Sequence, residues 1–176
     1  MQCAFPPPFL TFTFLTFTFL TVYPSLFHMK QAIHKIGVVT SGGDVPGLNA
    51  AIRAITRMGA SLGVETIGVQ RGYAGLIDGD FTPLTNRSVS GVLQQGGTIL
   101  GTARCKQFET DEGRRLAARN LADAEIDALI VIGGNGSLRG AMELHKLGVP
   151  LIGVPKTIDN DQFGTDMAIG VDTALN

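Results

Sequence analysis

The sequence predicts an α/β fold, a doubly wound and mostly parallel sheet of the Rossmann-like kind, from three observations. Apolar runs without polar alternation occur at residues 36–39, 65–69, 128–132 and 149–153, as expected of strands buried on both faces. Segments with helical periodicity separate them. Three turns rich in Gly or Asp follow strands, at the carboxyl edge of the sheet, where folds of this class open their ligand crevice.

Composition narrows the function classes. A chain of 176 residues can form one domain with a sizeable core or part of a larger protein. Its formal net charge of -1 and 16% charged residues leave no basic footprint for nucleic acid and no acidic tail. The 23 glycines are scattered through apolar runs, which points to turns that approach a ligand closely rather than to a linker. Cys3 and Cys105 lie far apart with no CxxC spacing, so a reducing, cytoplasmic setting is expected.

Residues 1–28 differ from the rest. The stretch TFTFLTFTFLT, Thr11 to Thr21, repeats itself, and residues 1–28 hold seven of the ten phenylalanines. No Lys, Arg, Asp or Glu precedes Lys30. Neither a secretory signal nor a membrane span fits, because threonine breaks the apolar run at every second or third place. The expectation is an extension outside the fold, with Met29 as the start of a domain over 29–176.

From there the elements follow in order. Residues 36–39 form a strand and Thr40-Ser41-Gly42-Gly43-Asp44 a turn. Pro46 stands in the first turn of a helix whose Ile52, Ile55, Met58 and Leu62 make an apolar stripe. A strand spans Glu65 to Val69, and a helical pattern lies around Ser88 to Gln95. A further helix runs from about Thr110 to Ala124, with Asp111 and Glu112 favouring its amino end. The strand at 128–132, a Gly-rich turn, a helix from Ser137 to Lys146 and a last strand complete the alternation.

Four segments carry candidate chemistry. In TSGGDVPGLNAAIR, Thr40 to Arg53, Gly42 and Gly43 let backbone N–H groups face an anion at a helix amino end. Taken alone, such a turn is more often a tight strand-to-helix connection. VIGGNGSLRGA, Val131 to Ala141, frees the backbone at Gly133, Gly134 and Gly136, and Ser137 can cap the next helix. Two such turns at one edge favour phosphate binding. In VPKTIDNDQFGTD, Val154 to Asp166, Asp159 and Asp161 could hold Mg²⁺ or take a proton, while Lys156 could bind phosphate oxygens. An Asx-turn with solvated acids is the plainer alternative. GGTILGTARCKQF, Gly96 to Phe108, offers Arg104 for a bidentate phosphate contact, or as a surface arginine.

Together TSGGDVPGLNAAIR, GGTILGTAR, GGNGS and PKTIDND resemble the 6-phosphofructokinase family, in its order and spacing, over residues 35 to 176. The resemblance implies transfer of a phosphoryl group from ATP, or from pyrophosphate, to the 1-hydroxyl of fructose 6-phosphate in glycolysis. It implies that Gly43 offers its backbone to nucleotide phosphates and that Arg104 holds the phosphoryl group in transit. Gly134, Asn135, Gly136 and Ser137 would form the nucleotide loop, with Gly140 and Tyr73 near the nucleoside. Thr157 would contact the sugar phosphate, Asp159 would be the general base, and Asp161 with Asn135 would sit at Mg²⁺. This fits phosphoryl transfer, which depends on positioning and charge neutralisation. The complete enzyme is expected to be a homo-oligomer.

Several residues depart from the family pattern. Asn135 replaces a metal-linked aspartate, Lys156 replaces a frequent glycine and is typical of pyrophosphate users, and Cys105 replaces a frequent aromatic. Arg53 and Arg57 match effector-binding positions, but Asn86 replaces a third expected arginine, which argues against that control. Family chains run to roughly twice this length, as two domains require. The chain therefore reads as an amino-terminal fragment, inactive alone; a non-catalytic nucleotide-binding remnant is the alternative. Lys156 and Gly136 pull in opposite directions on the donor, and Gly136, which leaves room for an α-phosphate and ribose, weighs towards ATP.

Overall fold

A computed structural model describes residues 32–176. The extension expected over 1–28 lies outside them. The apolar run after Lys35 forms β1 (Lys35–Ser41), whose last five residues are buried. β2 (Glu65–Val69), β3 (Phe81–Leu84), β4 (Ala128–Gly133) and β5 (Leu151–Pro155) join it in one sheet of order β3-β2-β1-β4-β5. β1 pairs in parallel with β2 and β4, and β4 with β5, while β3 runs antiparallel to β2 at the edge. The expected strands are present. β3 was not foreseen: Phe81-Thr82-Pro83-Leu84 is short, and its Pro83 suits an edge that need not donate to a second neighbour.

Five helices accompany the sheet among the described residues: α1 (Leu48–Ser61), α2 (Tyr73–Asp78), α3 (Asp111–Asp123), α4 (Asn135–Lys146) and α5 (Val171–Leu175). Successive strand residues point to opposite faces, so Val38 and Val39 feed two cores. Val39, Val69, Leu129 and Val131 pack with Leu76, Leu121 and Leu144 of α2, α3 and α4. Val38 and Ile132 pack with Leu48 and Ile52 of α1 and with Val89 and Leu100. That is the doubly wound arrangement. α3 begins where expected, and Thr110 caps it, its hydroxyl accepting from the Gly113 N–H at 3.1 Å.

Four local expectations are corrected. The helix expected at Ser88 to Gln95 is a run of turns: Thr85 and Ser88 bond one another's backbone, and Gly91 takes φ +74°, while Val89 and Val92 are buried. Side-chain competition for backbone groups and a glycine outweighed the apolar spacing. Pro46 precedes α1 rather than entering it, because Gly47 at φ +91° is the N-cap. Met58 and Leu62 are exposed, since the end of the α1 stripe faces an open apolar groove shared with Ile33, Ile36, Val64 and Ile130. Finally, α4 starts two residues before Ser137, with Gly134 as its N-cap and no side-chain cap. Ser137 is drawn inward instead; a Cβ on Gly133 would lie 2.4 Å from the Ser137 Cβ, so the backbone closes here only on glycine.

Candidate active site

β1 and β4 are neighbours whose chains leave in different directions, so the turns after them flank a crevice at the topological switch point. The turn after β5 closes its third side. Gly42, Gly43 and Asp44 from the first turn, Gly134 to Ser137 from the second, and Lys156, Thr157, Asp159 and Asp161 from the third line one cavity of about 400 Å³. Three of the four segments singled out in the sequence meet here, and the fourth, Gly96 to Phe108, does not line this cavity.

Lys156 ties two of them together. It continues β5, with its N–H donating to the Gly133 carbonyl at 3.1 Å, and its buried ammonium donates to the Gly43 carbonyl. Gly42 takes φ +88°, and a Cβ there would come within 3.3 Å of the lysine nitrogen. Burial holds the Lys156 pKa below that of an ordinary lysine, opposed more weakly by the field of Asp44. The N–H groups of the first turn of α4 have no side-chain cap and open towards the same cavity. Taken together these donors can receive an anion, on a cavity that Asp44, Asp159 and Asp161 also line.

The third turn is pinned at its base. Thr157 N–H donates to the Ile169 carbonyl and Ile169 N–H to that of Pro155, across a parallel bridge between Lys156 and Ile169. Inside it, Gln162 is buried and donates to the Lys156 carbonyl at 3.1 Å. The Thr157 hydroxyl accepts from Asp159 N–H at 3.1 Å and donates to Asp161 Oδ1 at 3.4 Å. The Asn160 amide donates to the Asp166 carbonyl, with Asn160 itself at φ +49°. These bonds leave the exposed Asp159 carboxylate without a hydrogen-bond partner among the described residues, and therefore free to accept a proton from a ligand.

Asn135 and Asp161, the pair expected at a metal, are brought together: Asn135 Nδ2 donates to Asp161 Oδ2 at 3.2 Å. Both Asp161 oxygens thus accept from neutral donors. Among the described residues no three His, Cys, Asp or Glu side chains gather closely enough to hold a metal ion. These residues make no closed cage for a divalent cation; Asp161, with Asp44 and Asp159 on the same cavity, could supply the one or two carboxylates that Mg²⁺ takes beside phosphate oxygens.

A second cavity, of about 700 Å³, opens beside the first and is lined by Tyr73, Arg104, Cys105, Phe108, Arg139 and Gly140, among others. Tyr73 and Phe108 stack with ring centroids 3.9 Å apart and planes 3° from parallel. The Tyr73 hydroxyl donates to the Ser137 carbonyl, and burial raises its pKa well above that of a free tyrosine. A Cβ on Gly140 would meet Phe108 at 3.0 Å and Tyr73 at 3.1 Å, so this glycine admits the aromatic pair to the flank of α4. Arg104 lines this larger cavity and not the smaller one. Phe108 was given no role in the sequence reading, although it is one of only three phenylalanines after residue 28.

The segment before Arg104 is held by Asn49 on α1, 2% exposed, which donates to the Gln95 carbonyl at 3.0 Å and accepts from Ile99 N–H at 2.8 Å. Asn49→Leu removes both part-buried bonds and is expected to cost about 0.5–1.5 kcal/mol for each. Urea unfolding with an unchanged slope measures this, and a midpoint equal to wild type would show that the segment is held elsewhere. Arg53, matched to an effector position, donates to the Val89 carbonyl at 2.6 Å and so serves an internal contact.

Comparisons with known proteins converge on one family. The family profile described as Phosphofructokinase matches residues 35–176. The chain is 57% identical over 143 residues to an ATP-dependent 6-phosphofructokinase of Thermotoga neapolitana, covering 81% of this chain and 45% of that one. It is 56% identical to ATP-dependent 6-phosphofructokinase 1 of Thermus thermophilus, covering 81% and 44%. The chain thus spans less than half the length of the curated relatives it matches. Among solved structures, a phosphofructokinase from Saccharomyces cerevisiae aligns with TM-score 0.76 and 41% identity over 81% of this chain and 22% of that one. A pyrophosphate-dependent phosphofructokinase from Marinobacter aquaeolei shares the fold, with TM-score 0.66 and 23% identity over 78% of this chain and 37% of its own. With its sheet order, its three converging turns and a profile match over residues 35–176, this chain belongs to the phosphofructokinase family.

Proposed function

We propose that this chain is the phosphoryl-donor portion of a 6-phosphofructokinase, transferring the γ-phosphoryl group of ATP to the 1-hydroxyl of fructose 6-phosphate. The observation that carries the reading is the junction of the two cavities: Gly136 and Ser137 line both, and a Cβ on Gly136 would meet nothing within 4 Å. A nucleoside against Tyr73 and Phe108 can thread its phosphates past Gly136 into the smaller cavity. Gly43 and the α4 amino end receive the phosphate oxygens, Lys156 neutralises them, and Arg104, on the larger cavity, is assigned to the phosphoryl group in transit. Thr157 fixes the turn that presents Asp159. The sugar O1 forms the new bond to phosphorus as the bond to the ADP oxygen breaks, and the O1 proton passes to the Asp159 carboxylate. Magnesium would arrive on the donor, since these residues make no cradle for it alone.

The acceptor pocket and a homo-oligomeric assembly are assigned to the length that the relatives have and this chain does not span. No helix among the described residues is long and apolar enough to cross a membrane, and a cytoplasmic, glycolytic setting is proposed. A second reading, pyrophosphate as donor, is favoured by Lys156, which is typical of pyrophosphate users, although its ammonium among the phosphate-binding groups would serve either donor.

The test joins residues 29–176 to the remaining length of the Thermotoga neapolitana relative and measures formation of fructose 1,6-bisphosphate with each donor. The expected result is activity with kcat/KM at least about tenfold higher for ATP than for pyrophosphate, while the 176-residue chain alone gives none. A folded chimera inactive with both donors would reject the proposal, and a pyrophosphate preference would select the second reading.

A further inference from the structure

We propose that Gln162 is a positioning residue for the transfer: its buried amide closes the loop that carries Asp159 and fastens it to the carboxyl end of β4, so that the base stands at a fixed reach from the amino end of α4. This rests on the phosphoryl-transfer reading given above. Gln162 is 7% exposed and lines the smaller cavity, yet no step of the transfer uses it. Its Nε2 donates to the Lys156 carbonyl at 3.1 Å and lies 3.4 Å from that of Gly133. Two carbonyls on one side fix which end of the amide faces them, since an oxygen turned that way would be repelled by both. One side chain thus ties together the last residue of β4, the residue that follows β5 and the third turn. Asp159 is three residues from Lys156 and three from Gln162, at the middle of the loop that this bond closes. On the other side, a Cβ on Gly134, the N-cap of α4, would lie 3.7 Å from the same Nε2.

Stability alone does not account for an amide here. Its Oε1 is enclosed and has no hydrogen-bond partner among the described residues. An unpaired buried acceptor costs as much as the bond from Nε2 returns, or more, so leucine in this place would fold about as well. What leucine cannot do is hold the loop in one geometry. The link from Asn135 to Asp161 is exposed, and water competes for it, whereas the bond from Gln162 to Lys156 is buried. Reacting groups displaced by about 1 Å lose roughly 10² in rate. A base whose loop relaxes by that much keeps its chemistry and loses its reach to the sugar O1.

The chimera described above, assayed with ATP and fructose 6-phosphate, tests this through Gln162→Leu. The expected result is a kcat lowered by about tenfold or more, a KM for ATP within about threefold of wild type and a thermal midpoint within about 4 °C. Added to Asp159→Asn, the same substitution is expected to lower kcat by no more than about threefold further, because a residue that acts through the base then has nothing left to position. An active wild type whose Gln162→Leu variant loses less than about tenfold in kcat overturns the inference. So does a KM for ATP raised more than about threefold, which would make the amide part of donor binding. A midpoint lowered by more than about 4 °C, or a variant that fails to fold, overturns it as well, by making the amide a stability element. Losses that multiply in the double variant would show that Gln162 does not act through Asp159. A wild-type chimera inactive with both donors instead rejects the transfer reading on which the role depends.

Discussion

Asp159→Asn in the active chimera lowers kcat by about 10²–10⁴ while the KM for the donor stays near wild type. Asp159 uses only its backbone N–H to hold the turn, through the Thr157 hydroxyl, and its carboxylate has no hydrogen-bond partner among the described residues. Asparagine is nearly isosteric and breaks none of those bonds, so the loss reports on proton transfer rather than on folding. The acceptor hydroxyl must shed its proton as the new bond forms, and an amide cannot take it. Steady-state kinetics on the purified variant, with thermal unfolding as a control, check the result. Near-normal turnover would put the base elsewhere.

Gly136→Asp is expected to reduce kcat/KM for ATP by about 10² while pyrophosphate is affected less. The position is the second residue of α4, where an aspartate suits the helix amino end and threatens no neighbour. Its carboxylate would stand at the junction through which the α-phosphate must pass. Two like charges about 5 Å apart at an effective dielectric near 20 repel by roughly 3 kcal/mol, which is about 10² in affinity. Pyrophosphate has no nucleoside to thread through that junction. Equal losses with both donors would mean that the aspartate repels any phosphate in the cavity, and that the open junction does not select ATP.

Much of this was legible in the sequence because its causes are local. Uninterrupted apolar runs name buried parallel strands whatever surrounds them, and Thr110 with Asp111 and Glu112 writes a helix start in three letters. The Ser88–Gln95 segment misled because Val89 and Val92 are buried by non-helical turns, and apolar spacing does not distinguish the two. The tether from Lys156 to Gly43 joins residues 113 positions apart, and no pattern along the chain announces it. The same holds for Asn135 with Asp161, and for Phe108, which gains its role only by stacking on Tyr73. Resemblance named the site residues; the bonds that orient them came from the fold.

The sheet order also governs when the molecule can assemble. β1 lies between β2 and β4, and its amino end is fastened to Asp127, 92 residues away from Lys35, through the backbone N–H groups of His34 and Lys35. During synthesis at about 5–20 residues per second, β1 waits roughly 5–20 s for that partner. Until then β1 and β2 form a two-stranded parallel pair with an open edge, and β3 protects only the far side. The donor cavity is later still, because its third wall follows β5. A ribosome that stalls before β4 would therefore present an apolar, edge-exposed nascent chain to chaperones and to its neighbours, with no ligand site to stabilise it.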